Sequence, residues 1–354
     1  MQNRSKKEIL LITYSLFQTG APIAIFNVAI ALKNMGYTPI VISNQDGPLK
    51  NDILARDIAV IVEPSLLKIT SVFESWVSKY DMVFINTIVF YSMIKKCNFN
   101  NSKVIWWVHE AEDYYKIIFD KKEKVNIPVN IDIYGVGEIA CRNFNKYFGK
   151  MPKNLLYGIG EDIHVEKEKT GDKTILAIIG SIITRKGHDI LLDSLEYIPD
   201  SYWDNAELWI IGSKDDNDLE LYNRMCNFAS QKQYLKIKGE KTRYEMKNIY
   251  KNVDVLLAPS REDPMPITIT EAMINAIPAI VSDGCGTARL LKNGFNGLVF
   301  KNEDAEELAD KIQYAILNPD KMVEMGIQVR NIFEQEFSIM ALEKNINKII
   351  NGEQ

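Results

Sequence analysis

The chain has 354 residues, 46% hydrophobic and 25% charged, and its 47 acidic side chains exceed 42 Lys plus Arg, leaving a net charge of −5. That composition suits a soluble globular protein of two domains of about 150 residues each, and it excludes a bulk nucleic-acid binder, which leans basic. No apolar run approaches the roughly 20 residues that span a bilayer, and the polar start Met1–Ile9 lacks the apolar stretch of a secretory signal.

Cys97, Cys141, Cys226 and Cys285 are scattered and form no CxxC pair, so free thiols in a reducing cytosol are expected. The three histidines, His109, His164 and His188, share no ligand-like spacing with them, and no zinc site is expected.

Short β-rich runs alternate with longer amphipathic ones, which reads as a doubly wound α/β protein. Glu8–Tyr14 reads as a buried strand, Pro22–Met35 as a helix stopped by Gly36, and Thr38–Ser43 as the next strand. Further strands are expected at Ala59–Val62, Met82–Asn86, Val104–Val108, Asp132–Val136 and Leu155–Ile159. Glu161–Lys173 is charged and aperiodic and reads as a linker. The alternation restarts at Thr174–Gly180 and continues through strands at Glu207–Gly212, Tyr234–Lys238, Asp254–Ala258, Ala279–Ser282 and Gly297–Phe300, with a last amphipathic helix at Met340–Ile350. The expected domains are residues 1–162, residues 163–336 and a closing helix within 337–354. Two such halves would leave a cleft lined by strand C-terminal ends, where open α/β sheets bind ligands.

The most informative stretch is Ser260–Met273, SREDPMPITITEAM. A strand ends there, an acidic Pro-rich turn follows, and a helix begins near Pro266. The N–H groups of Ile267, Thr268 and Ile269 are expected to be open at its start, forming an anion site with about half a positive charge. Asp263 and Glu271 stand eight positions apart, placed to grip sugar and ribose hydroxyls on either side of a diphosphate. The alternative makes Asp263 a helix cap and Glu271 a buried ion-pair partner.

This stretch resembles the E-x7-E signature of family-4 glycosyltransferases, and DVLLAPSREDPMPITITEAM followed by AIPAIVSD is similar to that family's strand–turn–helix–strand core. The resemblance implies a GT-B fold: two Rossmann-like domains facing across a cleft, the last helix crossing back to the first domain. It also implies a retaining, metal-independent hexosyltransferase activity. The chain departs from the family pattern at Asp263 for Glu, Ala276 for Gly and Arg289 for Glu.

GSIITRKG, Gly180–Gly187, follows a buried strand and opens a helix near Lys186; cations beside a glycine turn suit a departing diphosphate. The resemblance assigns that role to Lys186, with Arg185 standing in for a frequent Arg that is Ser181 here. A solvated loop pair is the alternative. Thr19-Gly20-Ala21-Pro22 joins the first strand and helix. A glycine turn there lets backbone approach a ligand, while Pro22 as a plain helix starter is the other account. It is no GxGxxG fingerprint, and a dinucleotide site is not supported. By resemblance Gly20 and Ala21 line the cleft beside the sugar. His109, ending VIWWV, sits at a strand C-terminal end, where a lone histidine is commonly structural; the resemblance turns it toward the donor sugar, with Glu110 beside it. Gly239 and Lys241 fall where the family meets the nucleobase. Met265, Pro266, Ile267 and Thr268 complete the expected donor contacts.

Asp216-Asn217-Asp218 has the D-x-D spacing of metal-dependent enzymes but reads better as a helix cap. Tyr115–Val125 mixes apolar and cationic residues and reads as a solvated or acceptor-facing loop, with peripheral membrane contact left open. The expected partners are a nucleoside-diphosphate sugar and a glycan or lipid-linked acceptor, in cell-surface polysaccharide synthesis. No cofactor, metal or nucleic acid is expected, and the location is cytoplasmic, with room for the inner membrane face. A non-catalytic sugar-nucleotide-binding subunit and a GT-B nucleotide-sugar epimerase are the rival readings.

Overall fold

Apolar runs of four to six residues, bounded by turn chemistry, become parallel strands buried on both faces. The computed structural model describes residues 8–99, 102–119, 127–128, 131–167 and 171–353. Residues up to Gly160, joined by those from Glu336 onward, form one compact unit, and Glu161–Gln335 form the other.

In the first unit the strands are β1 (Glu8–Ser15), β2 (Thr38–Gln45), β3 (Ala59–Val62), β4 (Met82–Asn86), β5 (Lys103–Val108), β6 (Ile131–Gly135) and the two-residue β7 (Lys153–Asn154). All pair in parallel in the order β3-β2-β1-β4-β5-β6-β7. Ile9–Ile12 of β1 and Val104–Val108 of β5 are shut away from solvent on both faces, which only helices covering both sides allow. Trp106 anchors one side: its ring meets Phe144 edge-on at 5.3 Å and its Nε1–H donates to the Thr87 carbonyl at 2.8 Å.

In the second unit β8 (Thr174–Ile179), β9 (Ala206–Ile211), β10 (Leu235–Gly239), β11 (Val255–Ala258), β12 (Ala279–Ser282) and β13 (Leu298–Phe300) pair in parallel in the order β10-β9-β8-β11-β12-β13. Leu176, Ile178, Leu208, Ile210 and Leu257 form its centre. The strand order reverses between β1 and β4 in one sheet and between β8 and β11 in the other. Such a switch point splays the loops that leave the two central strands and opens a crevice.

The final helix, Ile339–Asn351, returns to the first unit. Leu342, Ile346 and Ile349 form its buried stripe, Ser338 accepts from the Ala341 N–H as its cap, and it packs on the helix Gly20–Asn34. A Cβ at Gly158 would lie 2.9 Å from the Leu342 Cβ, so this helix rests directly on backbone.

Several expectations need correction. Leu155–Ile159 is not a strand: pairing stops at β7, and Ile159 forms a single bridge with Ser338. The first helix opens at Gly20, two residues before Pro22. The start of the expected linker is bound to the second unit. Ile163 is buried, and Asn275 both donates to its carbonyl and accepts from the Val165 N–H. Tyr115 is no loop residue but a core side chain of the helix Glu112–Ile118, on which Ile117 is 82% exposed; residues 120–125 of that segment lie outside the described residues.

Candidate active site

The turn leaving β8 is held from three directions. Thr184–Lys186 form a 3-10 turn rather than the start of an α-helix, which begins at His188. Between them Gly187 sits at φ +73°, and a Cβ there would stand 1.9 Å from the Pro259 carbonyl oxygen, so only glycine fits. Asp218, from the loop after β9, accepts from the Thr184 N–H at 3.1 Å and its hydroxyl at 2.8 Å. Arg261, from the loop after β11, donates to the Thr184 carbonyl at 2.6 Å and to both Asp189 oxygens at 2.8 Å, while its Nε donates to Glu303 at 2.8 Å. Its backbone N–H donates to the Arg185 carbonyl at 2.9 Å. Burial would raise the Asp189 carboxyl, but the Arg261 fork outweighs it and holds the group below the usual aspartate value.

That scaffold aims two cations at one carboxylate. Lys186 Nζ lies 2.5 Å from Asp263 Oδ2, and Arg185 stands 3.7 Å from the same oxygen while donating to the Glu262 carbonyl at 2.9 Å. The Asp263 backbone is pinned between Gly284 and Gly286, donating to the first at 3.1 Å and accepting from the second at 2.8 Å. Asp263 is therefore not a helix cap. Pro266 is the residue before the helix Ile267–Ile274, with an extended ψ of 119°. The N–H groups of Ile267 and Thr268 are not spent inside it, whereas that of Ile269 donates to the Pro266 carbonyl at 3.2 Å, which removes Ile269 from the expected set. Met265 is buried under this corner, and Gly180 packs beside the Lys186 stem.

Glu271 lies one turn along and is buried. It accepts from Arg243 at 3.1 Å and from the Tyr250 hydroxyl at 2.8 Å, and Arg243 also holds Asp162 at 3.2 Å. Burial pushes the Glu271 carboxyl upward, against the opposing pull of Arg243 and Tyr250. Each oxygen keeps a second lone pair, so a ribose hydroxyl can still be bound. Gly239 ends β10 at φ +67°, with its carbonyl accepting from the Gly212 N–H at 3.1 Å. Lys241 lies 3.8 Å from Glu245, just before the helix Arg243–Asn252 that carries Arg243 and Tyr250.

In the first unit the strand ends after β1, β4 and β5 hold mostly neutral groups. The helix start leaves the Gly20 and Ala21 N–H groups unspent within the helix, while the Ala21 carbonyl accepts from Asn86 at 2.8 Å. Thr87 is at φ 83°, ψ 156°, a conformation that a β-branched residue adopts only at a cost of about 1–3 kcal/mol. Its N–H to Trp107, its carbonyl from Trp106, and the Ile88 N–H to Glu110 hold it there. Glu110 is thus a brace, its two oxygens taking the N–H groups of Ile88 and His109; burial pushes its carboxyl up to about 7. The His109 ring leans on Trp107 with centroids 4.4 Å apart, and its Nε2 is buried without a partner among the described residues. Burial pulls its pKa down to about 3, so the ring is neutral at physiological pH.

The Asp216–Asp218 reading also changes. Asp218 makes no side-chain cap bond to its helix and instead clamps Thr184, while Asp215 caps the short turn by accepting from the Asn217 N–H at 2.8 Å. Among the described residues no group of three or more His, Cys, Asp or Glu is gathered as for a metal. The four cysteines are free thiols, and among the described residues no helix is long and apolar enough to cross a membrane. A cavity of 300 Å³ near Asp254, Glu207 and Trp209 opens at the strand starts of the second sheet, the end opposite the Lys186 turn. Arg261, Arg243, Tyr250 and Asp189 were not singled out from the sequence, since nothing local marks a partner 21 to 72 positions away.

The family model described as Glycosyl transferases group 1 matches residues 160–332, and that described as Glycosyl-transferase family 4 matches residues 5–134. An uncharacterized glycosyltransferase of Methanocaldococcus jannaschii is 25% identical over 63% of this chain and 69% of its own. The UDP-Gal:alpha-D-GlcNAc-diphosphoundecaprenol alpha-1,3-galactosyltransferase of Escherichia coli is 26% identical over 49% of this chain, which spans less than half of that relative, 44%. Anabaena HepE, solved in complex with UDP and glucose, matches with a TM-score of 0.78 at 15% identity, covering 98% of this chain and 100% of that one. The two sheets are those of a GT-B protein. Taken with the two matched regions, this places the chain in the glycosyl transferases of group 1.

Proposed function

We propose that the protein transfers a sugar from a nucleoside-diphosphate donor to a glycan or lipid-linked acceptor, with retention of anomeric configuration and without a metal, in the assembly of a cell-surface polysaccharide. The observation that carries this is the convergence of Lys186 and Arg185 on the Asp263 carboxylate beside the unspent N–H groups of Ile267 and Thr268. Preorganised cations and backbone donors of this kind stabilise the charge that grows on a departing diphosphate, the part a divalent ion plays elsewhere.

On this reading the diphosphate lies on Lys186, Arg185 and the helix start, and Glu271 holds the ribose, with Arg243 and Tyr250 fixing its carboxylate. Gly239 and Lys241 border the base. Asp263 takes a hydroxyl of the donor sugar. In the first unit, neutral His109 offers a ring nitrogen to a sugar hydroxyl, and the Gly20–Ala21 helix start offers N–H donors. The bond from the anomeric carbon to the phosphate oxygen breaks, the acceptor oxygen bonds to that carbon on the same face, and the hydroxyl proton leaves with the phosphate. No protein nucleophile is required. The lipid-linked acceptor class is supported by the galactosyltransferase relative, whose name specifies a diphosphoundecaprenol-linked sugar.

The experiment is a thermal-shift panel of UDP, GDP and ADP with their sugars, since a ligand that binds only the native state raises Tm with concentration. A rise with one diphosphate series supports the reading; no shift with any of them overturns it. Transfer that persists in chelator supports metal independence, and loss rescued only by Mn²⁺ or Mg²⁺ refutes it. The second reading, a binding subunit without turnover, is favoured by the departures at Ser181, Asp263 and Arg289. Donor hydrolysis or transfer by the purified chain excludes it.

A further inference from the structure

We infer that Asp263 is an internal stand-in for the donor diphosphate: in the unliganded protein it occupies the phosphate cations, and the arriving diphosphate releases it to grip the donor sugar. This deepens the donor-site reading above and rests on it.

The geometry is specific. One oxygen, Oδ2, takes Lys186 at 2.5 Å and faces Arg185 at 3.7 Å, while Oδ1 takes no hydrogen bond among the described residues. The carboxylate is 10% exposed and the two cations 21% and 22%, so solvent screens the cluster only partly. Two cations and one carboxylate leave a single net positive charge. A diphosphate diester brings two negative charges to the same cations, and Asp263 then repels it at short range. The backbone of Asp263 cannot retreat, because Gly284 and Gly286 bond it on both sides and a Cβ at Gly286 would stand 1.8 Å from the Pro264 carbonyl oxygen. Relief has to come from the side chains: Lys186 turns its ammonium to phosphate, and the Asp263 carboxylate rotates toward new donors. A sugar hydroxyl supplies such a donor; a bare diphosphate does not.

The exchange therefore has a signature that a plain binding or folding role lacks, namely unlike effects on two ligands that share the nucleoside diphosphate but differ in the sugar and in the terminal phosphate charge that the sugar caps. In the free diphosphate complex the Asp263 charge is a pure penalty. In the sugar-nucleotide complex a charge-assisted hydrogen bond to the hydroxyl compensates it. Asp263 thus sets the preference for donor over spent product, which eases release of the diphosphate after transfer.

The test is calorimetric titration of the full chain and its Asp263→Asn variant with UDP, GDP and ADP and with UDP-glucose, GDP-mannose and ADP-glucose. The diphosphate that binds wild type is expected to bind Asp263→Asn tighter by about fivefold, while the matching sugar nucleotide binds no tighter than to wild type. Asp263→Glu keeps the charge and is expected to leave diphosphate affinity unchanged. Equal or weaker diphosphate binding by Asp263→Asn, with its melting curve intact, overturns the exchange and makes Asp263 a holder of Lys186. Tightening by Asp263→Glu overturns it as well. If no diphosphate binds either wild type or variant, the donor-site reading falls instead, and the exchange falls with it.

Discussion

The two sheets reverse strand order at their centres in the same way, between β1 and β4 and between β8 and β11, and each reversal is flanked by a helix start. The groups hung there differ in kind. Around β8 and β11 they are ionic and cross-braced: Lys186 and Arg185 on Asp263, Arg261 on Asp189, Arg243 on Glu271. Around β1, β4 and β5 they are neutral or buried: the His109 ring, the strained Thr87, the Asn86 amide, and Glu110 pushed toward neutrality by burial. A polyanionic leaving group needs fixed charge, whereas a neutral sugar needs shape and uncharged hydrogen bonds. Under the proposed function one scaffold would meet both demands, because the loops, not the strands, carry these groups.

The comparison breaks first at Lys186. Lys186→Ala is expected to lower kcat/KM about 10³-fold while the melting curve stays near wild type, as removal of one preorganised donor does. Near-wild-type transfer would remove the ionic edge from the mechanism. Next comes Glu271→Ala, which is expected to weaken folding as well as turnover. Arg243, whose side chain is 19% exposed, would keep Asp162 but lose Glu271; unpairing a fully buried ion costs about 3–5 kcal/mol, and partial exposure lowers that to about 1–3 kcal/mol. A denaturant melt unchanged by this substitution would show that the pair is not coupled to folding. His109→Gln should cost about tenfold in kcat/KM, the value of a positioned uncharged hydrogen bond. Because the folded His109 pKa is near 3, the wild-type pH profile should show no His109 inflection between about pH 5 and 8. An inflection there that vanishes in the variant would make His109 an acid–base group.

The smallest effect is on acid stability. A histidine whose pKa is lowered on folding contributes stability above the unfolded value of 6.5, and loses it as pH falls toward the folded one. His109, near 3, and His188, near 4, both have this sign. Each should cost up to about 1 kcal/mol per pH unit below 6.5. Melting curves from pH 7 to pH 5 should flatten in His109→Gln, and an unchanged slope would contradict the burial of that ring.

The strands were legible in the sequence because both faces of a parallel sheet are covered, so each strand shows as an unbroken apolar run such as VIWWV or ILLI. Leu155–Ile159 shows the limit. It is apolar and buried like a strand, but its neighbour is the final helix and not another strand, and a run of side chains does not reveal which partner covers it. Lys186, Asp263 and Glu271 were legible as residues, from turn, proline and helix-start chemistry. Their pairing was not. The Lys186–Asp263 contact joins positions 77 apart, and no helical or strand period links them.

By itself the sequence determined the local facts: where most strands run, where a glycine-flanked turn follows the strand before Lys186, where Pro266 leads into a helix, and which charges lie near those points. These depend on sterics and hydrophobic period within a few residues. Only the tertiary structure decided that Lys186 rests on Asp263, that Glu271 is answered by Arg243 and Tyr250, and that Asp218 clamps Thr184. Such choices turn on distance and burial between segments far apart along the chain, and side-chain charge interacts through space rather than along the backbone.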